Sequence, residues 1–127
     1  MDNIYSLNIE RAVLSSILFD HDIIEDILGV LKPSDFYLPA HQKIFTVMEA
    51  LNHADMPIDE DFIRKRVDSK EVSDSVLIEI LSANPISNTM AYVREIKDGA
   101  VKRELTSLAT NIKKLTIQDL LLIEPQV

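Results

Sequence analysis

The sequence of 127 residues contains no cysteine, no tryptophan and only two glycines, Gly29 and Gly99. Without cysteine there is no disulfide framework, no thiolate nucleophile and no cysteine zinc site, and nothing points to an oxidising compartment. Two isolated glycines exclude the usual nucleotide loops, because clustered glycines are what let backbone amides approach a phosphate. No cofactor or metal is therefore expected in this chain. Long apolar runs are missing as well: nothing approaches the roughly 18 apolar residues of a membrane helix. The opening Met1-Asp2 lacks the basic start and apolar core of a secretory signal. A cytoplasmic protein without membrane contact is the simplest reading.

What is present suits a single folded domain of 14.4 kDa, with 46% hydrophobic and 27% charged residues. The net charge of −8 is unevenly spread: residues 1–63 carry 12 acidic and 3 basic side chains, residues 64–127 carry 9 and 10. An acidic surface repels nucleic acid, whose affinity for proteins rests on lysine and arginine displacing counterions. DNA is a poor candidate for the main ligand.

Apolar spacing follows the helical period almost throughout, and no run alternates as a half-buried strand does, so the fold class is all-α. Asn8 is a candidate cap for a first helix carrying Ile9, Val13, Leu14, Ile17 and Leu18. Asp22 and Glu25 have capping-box spacing ahead of Ile27, Leu28 and Leu31, with Pro33 as the stop. A third helix follows Pro39, with Ile44, Phe45, Met48 and Leu51 on one face, ending near Asn52 and His53. Asp59 caps a short helix burying Phe62, Ile63 and Val67. Asp74 starts another, with Leu77, Ile80 and Leu81 inward and Pro85 as its end.

From Asn88 to Leu115 there is no proline and one glycine, which predicts one helix of about 42 Å. A globule of this chain length is only about 36 Å across, so the helix should protrude. Val93, Ile96 and Ala100 are read as packing on the head. Val101, Leu105, Leu108, Ile112 and Leu115 follow a strict 4-3-4-3 spacing, a seam that wants another helix against it. Residues from Thr116 onward read as the opening of a returning helix cut short by Pro125 and the chain end.

Candidate chemistry is sparse. His21, His41 and His53 lie on separate segments, and His21 with Glu25 offers a cation only two ligands. Asp59-Glu60-Asp61 has Arg64 where a calcium loop needs glycine. Arg64-Lys65-Arg66 is flanked by acids and reads as a solvated face, and no serine sits in a glycine-flanked elbow. Of the adjacent aromatics, Phe36 reads as core and Tyr37 as half-buried.

Asp35-Phe36-Tyr37, with His41 four residues after the tyrosine, then Ile44-Phe45, Met48 and Leu51, resembles the N-terminal domain of bacterial replicative DNA helicases of the DnaB type. Asn8-Ile9-Glu10 with Val13-Leu14, Leu18 and Asp20 resembles that domain's first helix. Pro57-Ile58-Asp59 resembles its next turn, and Pro85, Asn88, Tyr92, Ile96-Lys97, Arg103 and Leu105 its hairpin helix. The resemblance is ordered and spans most of residues 8–105. It departs at Ser15, where the family usually has glycine. Segment 68–84 lacks the usual Gly-Gly and Tyr-Leu pairs, and the spacing before Pro85 is a residue shorter.

The resemblance implies an all-helical head (1–87) and an antiparallel helical hairpin, of which 88–127 supply the long helix and the start of the returning one. Hairpins would pair between subunits into dimers and, in a full protein, a trimer of dimers on a hexameric ring. It implies a RecA-like ATPase domain outside this chain, holding ATP, Mg and the main DNA contacts, so the chain itself would have no catalytic activity. The implied work is to hold the hexamer collar and dock primase and, where one is used, a helicase loader or initiator. The interface residues would be Val101, Leu105, Leu108, Ile112 and Leu115, flanked by Lys102, Arg103, Lys113 and Lys114. The 88–115 helix carries a local excess of basic charge that would steer an acidic partner surface. On the residues alone, three other readings stay open: a free-standing helical adaptor unrelated to replication, a small acid–base or metal enzyme around His21, His41 or Glu25, and direct DNA binding.

Overall fold

Ser6, not Asn8, begins the first helix. In the computed structural model, which describes residues 6–84 and 86–122, the Ser6 hydroxyl accepts the Ile9 amide and α1 spans Leu7–Phe19. Starting two residues earlier closes one more turn, from the Glu10 amide to the Ser6 carbonyl (3.1 Å). Asn8, already inside the helix, accepts a hydrogen bond from Arg11 instead. The next cap shifts too: the Asp20 carboxylate accepts the Asp22 amide and opens a 3-10 turn, His21–Ile23, leading into α2, Ile24–Leu28. α2 stops well before Pro33. The amides of Val30 and Leu31 both turn back to the Ile27 carbonyl (2.9 and 2.8 Å), which swings Leu31 into the core.

Pro33 opens a second 3-10 turn, Pro33–Asp35, and α3 spans Pro39–His53. Phe36 and Phe45 are fully buried with ring centroids 4.9 Å apart, as Ile44, Met48 and Leu51 line the same face. α3 ends on Asp55 at φ 56°, in the left-handed region, and the Met56 amide returns to the Leu51 carbonyl (2.9 Å). In a sequence so poor in glycine a short polar side chain occupies that place, because it tolerates the conformation better than a bulky one.

α4 is Glu60–Arg66, with the Asp59 carboxylate accepting the Phe62 amide (2.9 Å) as expected. α5 is Asp74–Ser82. It buries Leu77 and Ile80, but Leu81 is 39% exposed. One further residue turns a side chain about 100° around the axis, past the edge of a narrow contact, and Val72 outside the helix fills the core instead. The expected stop at Pro85 lies outside the described residues.

α1 sits at the centre, packed against α3, α5 and α6. Ser15 is buried there with its hydroxyl donating to the Ala83 carbonyl (3.0 Å), which ties the middle of α1 to the end of α5. The last element, α6, runs Thr89–Leu122, 34 residues or about 51 Å. The break expected after Leu115 is not there. No proline or glycine lies between Ala100 and Leu122, and the Thr116 hydroxyl donates back to the Ile112 carbonyl (3.0 Å) within the same helix. Among the described residues there is no strand, and no helix is long and apolar enough to cross a membrane.

The α5 geometry predicts that Ile80→Ala lowers unfolding free energy by about 2–4 kcal/mol, and Leu81→Ala by no more than about 0.5 kcal/mol, in urea titrations followed by circular dichroism.

Candidate interaction surface on the long helix

The base of α6 is fixed to the head by polar contacts at the Pro33–Asp35 turn. Asp35 is buried; its carboxylate accepts the Lys32 amide (2.9 Å) and the Lys97 ammonium (3.1 Å). Two helical turns on, Arg103 donates to the Asp35 carbonyl (2.7 Å), and its guanidinium lies 5.5 Å from the Tyr37 ring centroid. One short turn thus holds α6 at two successive points. Val93 and Ile96 ahead of the first point and Ala100 between the two are buried against the head.

The turn is itself held from the other side. Glu10 on α1 is 2% exposed and accepts the Tyr37 amide (2.6 Å), the Leu38 amide (3.4 Å) and the Nδ1 of His41 (2.7 Å). Gln42 adds a bond to the Phe36 carbonyl (2.7 Å). Desolvated carboxylates survive only when donors surround them, and both have them. His41 is thus a structural partner, where the sequence leaves it among candidates for chemistry. The signal that could have found Glu10 is its register: it stands four and seven residues before Leu14 and Ile17, on the buried stripe.

Beyond Ala100 the helix carries no buried residue among those described. Val101 is 40% exposed, Leu105 59%, Leu108 55%, Ile112 54% and Leu115 59%. At about 100° per residue these five cluster on one face, roughly 100° around the axis from Val93, Ile96 and Ala100. The head-facing stripe itself continues as Arg103, Ser107, Asn111 and Lys114, all polar. The seam is therefore a second apolar face and not an extension of the intramolecular contact. Lys102 and Lys113 border it. Arg103, expected to flank it as well, is turned to the head because the Asp35 carbonyl and the Tyr37 ring lie there.

The other candidates do not converge. His21 and Glu25 line a shallow open depression with Asp22 and Asp55, and His21 pairs with Asp22 while Glu25 accepts from Asn52 (2.6 Å). Among the described residues no group of three His, Cys, Asp or Glu side chains could hold a metal ion. Arg64 is committed to Glu60 (2.8 Å) and Asp74 (2.5 Å); the hydrogen bond to Glu60, with help from Asp74, raises its pKa above the ordinary arginine value. Lys65 and Arg66 lie over the Phe62 ring.

This all-helical fold is shared with solved domains of known proteins. The family model for the DnaB-like helicase N-terminal domain matches residues 2–98. The chain belongs to that family. It is 44% identical over 112 residues to the replicative DNA helicase DnaB of Helicobacter pylori strain J99, covering 87% of this chain and 23% of that protein. The Pasteurella multocida DnaB is 33% identical over 114 residues, covering 85% and 24%. The chain thus spans about a quarter of the length of these relatives. Among solved structures, the N-terminal domain of Helicobacter pylori DnaB, described with its interactions with primase, is 42% identical with a TM-score of 0.82, covering 86% of this chain and 89% of that one. The corresponding Mycobacterium tuberculosis domain is 25% identical with a TM-score of 0.83, covering 93% and 89%. These likenesses favour the replicative-helicase reading over an adaptor unrelated to replication.

Because Asp35 satisfies Lys32 and Lys97 together, Asp35→Ala should cost about 2–3 kcal/mol, and Arg103→Met, which keeps the apolar stem, about 1 kcal/mol, both read as lowered urea midpoints.

Proposed function

We propose that this chain is the assembly and primase-docking domain of a hexameric replicative helicase. The observation that carries the reading is an apolar seam left exposed on a helix whose base is fastened to a folded head. In this reading Val101, Leu105, Leu108, Ile112 and Leu115 join subunits into dimers, three dimers form the collar, and ATP-driven unwinding resides in a RecA-like domain outside this chain. Membership of the family supports it, as does the description of the Helicobacter pylori domain with its interactions with primase. The setting is the bacterial cytoplasm.

The physics sets the strength of the contact. A seam leucine more than half exposed gains about 1 kcal/mol on burial, so ten such side chains across a symmetric pair supply about 10 kcal/mol. Association costs about 4–15 kcal/mol in lost freedom. One helix per subunit thus gives a weak dimer at best, and a stable collar draws on further contacts. Arg94, Lys102, Lys113 and Lys114 remain available to steer an acidic partner, whereas Lys97 and Arg103 are engaged with Asp35.

Leu105→Asp with Leu108→Asp should leave head helicity intact and abolish self-association in sedimentation velocity. Adding a primase C-terminal domain should give a faster-sedimenting complex with the unaltered chain. Unchanged sedimentation of the double variant, or no complex with primase, would remove the corresponding half of the reading.

A further inference from the structure

We propose that a face of the head not covered by α6 carries a docking cleft for a basic segment of a partner protein, one that presents lysine or arginine side chains around a single apolar anchor. The cleft is separate from the seam and does not depend on it. α6 packs on α1 and on the Pro33–Asp35 turn, and no residue lining the cleft belongs to either element.

The cleft is a depression of about 480 Å³ where the start of α2 meets the end of α3 and the turn after it. Its lining is apolar at Ile24, Met56, Pro57 and Ile58; the two isoleucines are buried, whereas Met56 is 36% exposed. An unbranched, polarizable methionine side chain adapts to varied apolar partners. Two residues ahead of His21, and so at most about 7 Å away at the backbone, Phe19 is 69% exposed. Apolar groups left open in a concave, charge-rimmed site are what a partner's anchor would cover. The walls are already fixed. Asn52 of α3 donates to the Glu25 carboxylate of α2 (2.6 Å), and the Met56 amide returns to the Leu51 carbonyl (2.9 Å). A preformed site spares its partner the entropy of ordering it.

Charge identifies the occupant. Every lining residue comes from one of two stretches, 12–31 and 44–63, which hold four and five acidic side chains and no lysine or arginine. The cations bordering those stretches are engaged elsewhere: Arg11 pairs with Glu79 and Lys43 with Glu71, both at 3.2 Å. Asp22 has only His21 beside it (3.5 Å), and neither Glu25 nor Asp55 forms an ion pair with a lysine or arginine among the described residues. Asp22, Glu25 and Asp55 thus rim the apolar lining without a strong counter-charge. A cationic segment laid across them meets opposite charge while its anchor is buried. Nucleic acid is repelled by the same carboxylates, and a second copy presenting this face would bring like charge to it.

Amide chemical shifts of the unaltered chain, followed as synthetic peptides are added, test the proposal. The peptide Lys-Arg-Lys-Phe-Lys-Arg-Lys should move the amides of Asp22, Glu25, Asn52, Asp55 and Met56 and leave those from Val101 to Leu115 in place. Octalysine, which lacks the anchor, should bind about tenfold more weakly. A triple variant, Asp22→Asn, Glu25→Gln and Asp55→Asn, keeps an acceptor for Asn52 and a side chain that tolerates the left-handed turn. It should retain the circular dichroism and sedimentation of the unaltered chain and raise the peptide Kd about tenfold. Met56→Ser should raise it about threefold. Unchanged affinity in the triple variant, equally tight octalysine, no shifts up to millimolar peptide, or shifts confined to α6 would overturn the proposal. So would shifts of the same amides with chain concentration alone, which would assign the cleft to a second copy, or with a single-stranded oligonucleotide, which would assign it to nucleic acid.

Discussion

Two carboxylates that have left water, Glu10 and Asp35, organise the base of this molecule. Each must find donors or forfeit the free energy of desolvation, and the donors they find come from different elements. Glu10 draws the Tyr37 and Leu38 amides and His41 toward α1; Asp35 draws Lys97 of α6 onto the same turn, and its carbonyl draws Arg103. The turn between α2 and α3 becomes the piece through which α1, α3 and α6 are fastened to one another. A hydrophobic core alone, being non-directional, would leave α6 free to swivel on Val93, Ile96 and Ala100. The polar contacts supply the direction.

That direction matters because the assembly proposed for this domain happens beyond the core. A helix of 34 residues is a lever, and a small change of angle at its base moves the far end by several ångströms. Placing both anchors within the two turns around Ala100 leaves the helix from Val101 to Leu115 to present an apolar face outward, roughly a quarter-turn from the face that meets the head. Had the seam been continuous with the head-facing stripe, the simplest way to bury it would have been to fold back on the same chain.

The scarcity of glycine shapes the head in small ways as well. Asp55 takes a left-handed conformation that glycine usually fills, and Ser15, buried in α1, makes a hydrogen bond to the end of α5. Charge follows the same division of labour: the acidic N-terminal half encloses the core, while the basic residues of α6 divide between anchoring (Lys97, Arg103) and the free faces of the overhang (Lys102, Lys113, Lys114). The Asp35-Phe36-Tyr37 run has a physical task at each position. The aspartate pins the long helix, the phenylalanine packs on Phe45, and the tyrosine donates its amide to Glu10 while its ring faces the Arg103 guanidinium.

By itself the sequence determined what depends on period and composition: an all-helical fold, the third and fourth helices, the core role of Phe36 and Phe45, the overhang of the last helix and the residues of its seam. Those follow from spacing along one chain, which a helix converts directly into a face. It misplaced what competition between neighbours decides, such as the cap at Ser6 over Asn8, the early end of α2, the outward Leu81 and the unbroken passage through Thr116. Only the tertiary structure decided the Glu10–His41 and Asp35–Lys97 pairs and the turning of Arg103 to the head. Their partners lie 31, 62 and 68 positions apart, and no local periodicity encodes which distant donor will answer a buried carboxylate. The head-facing stripe and the seam were both legible; the angle between them became meaningful only once the head was known to lie against the first and not the second.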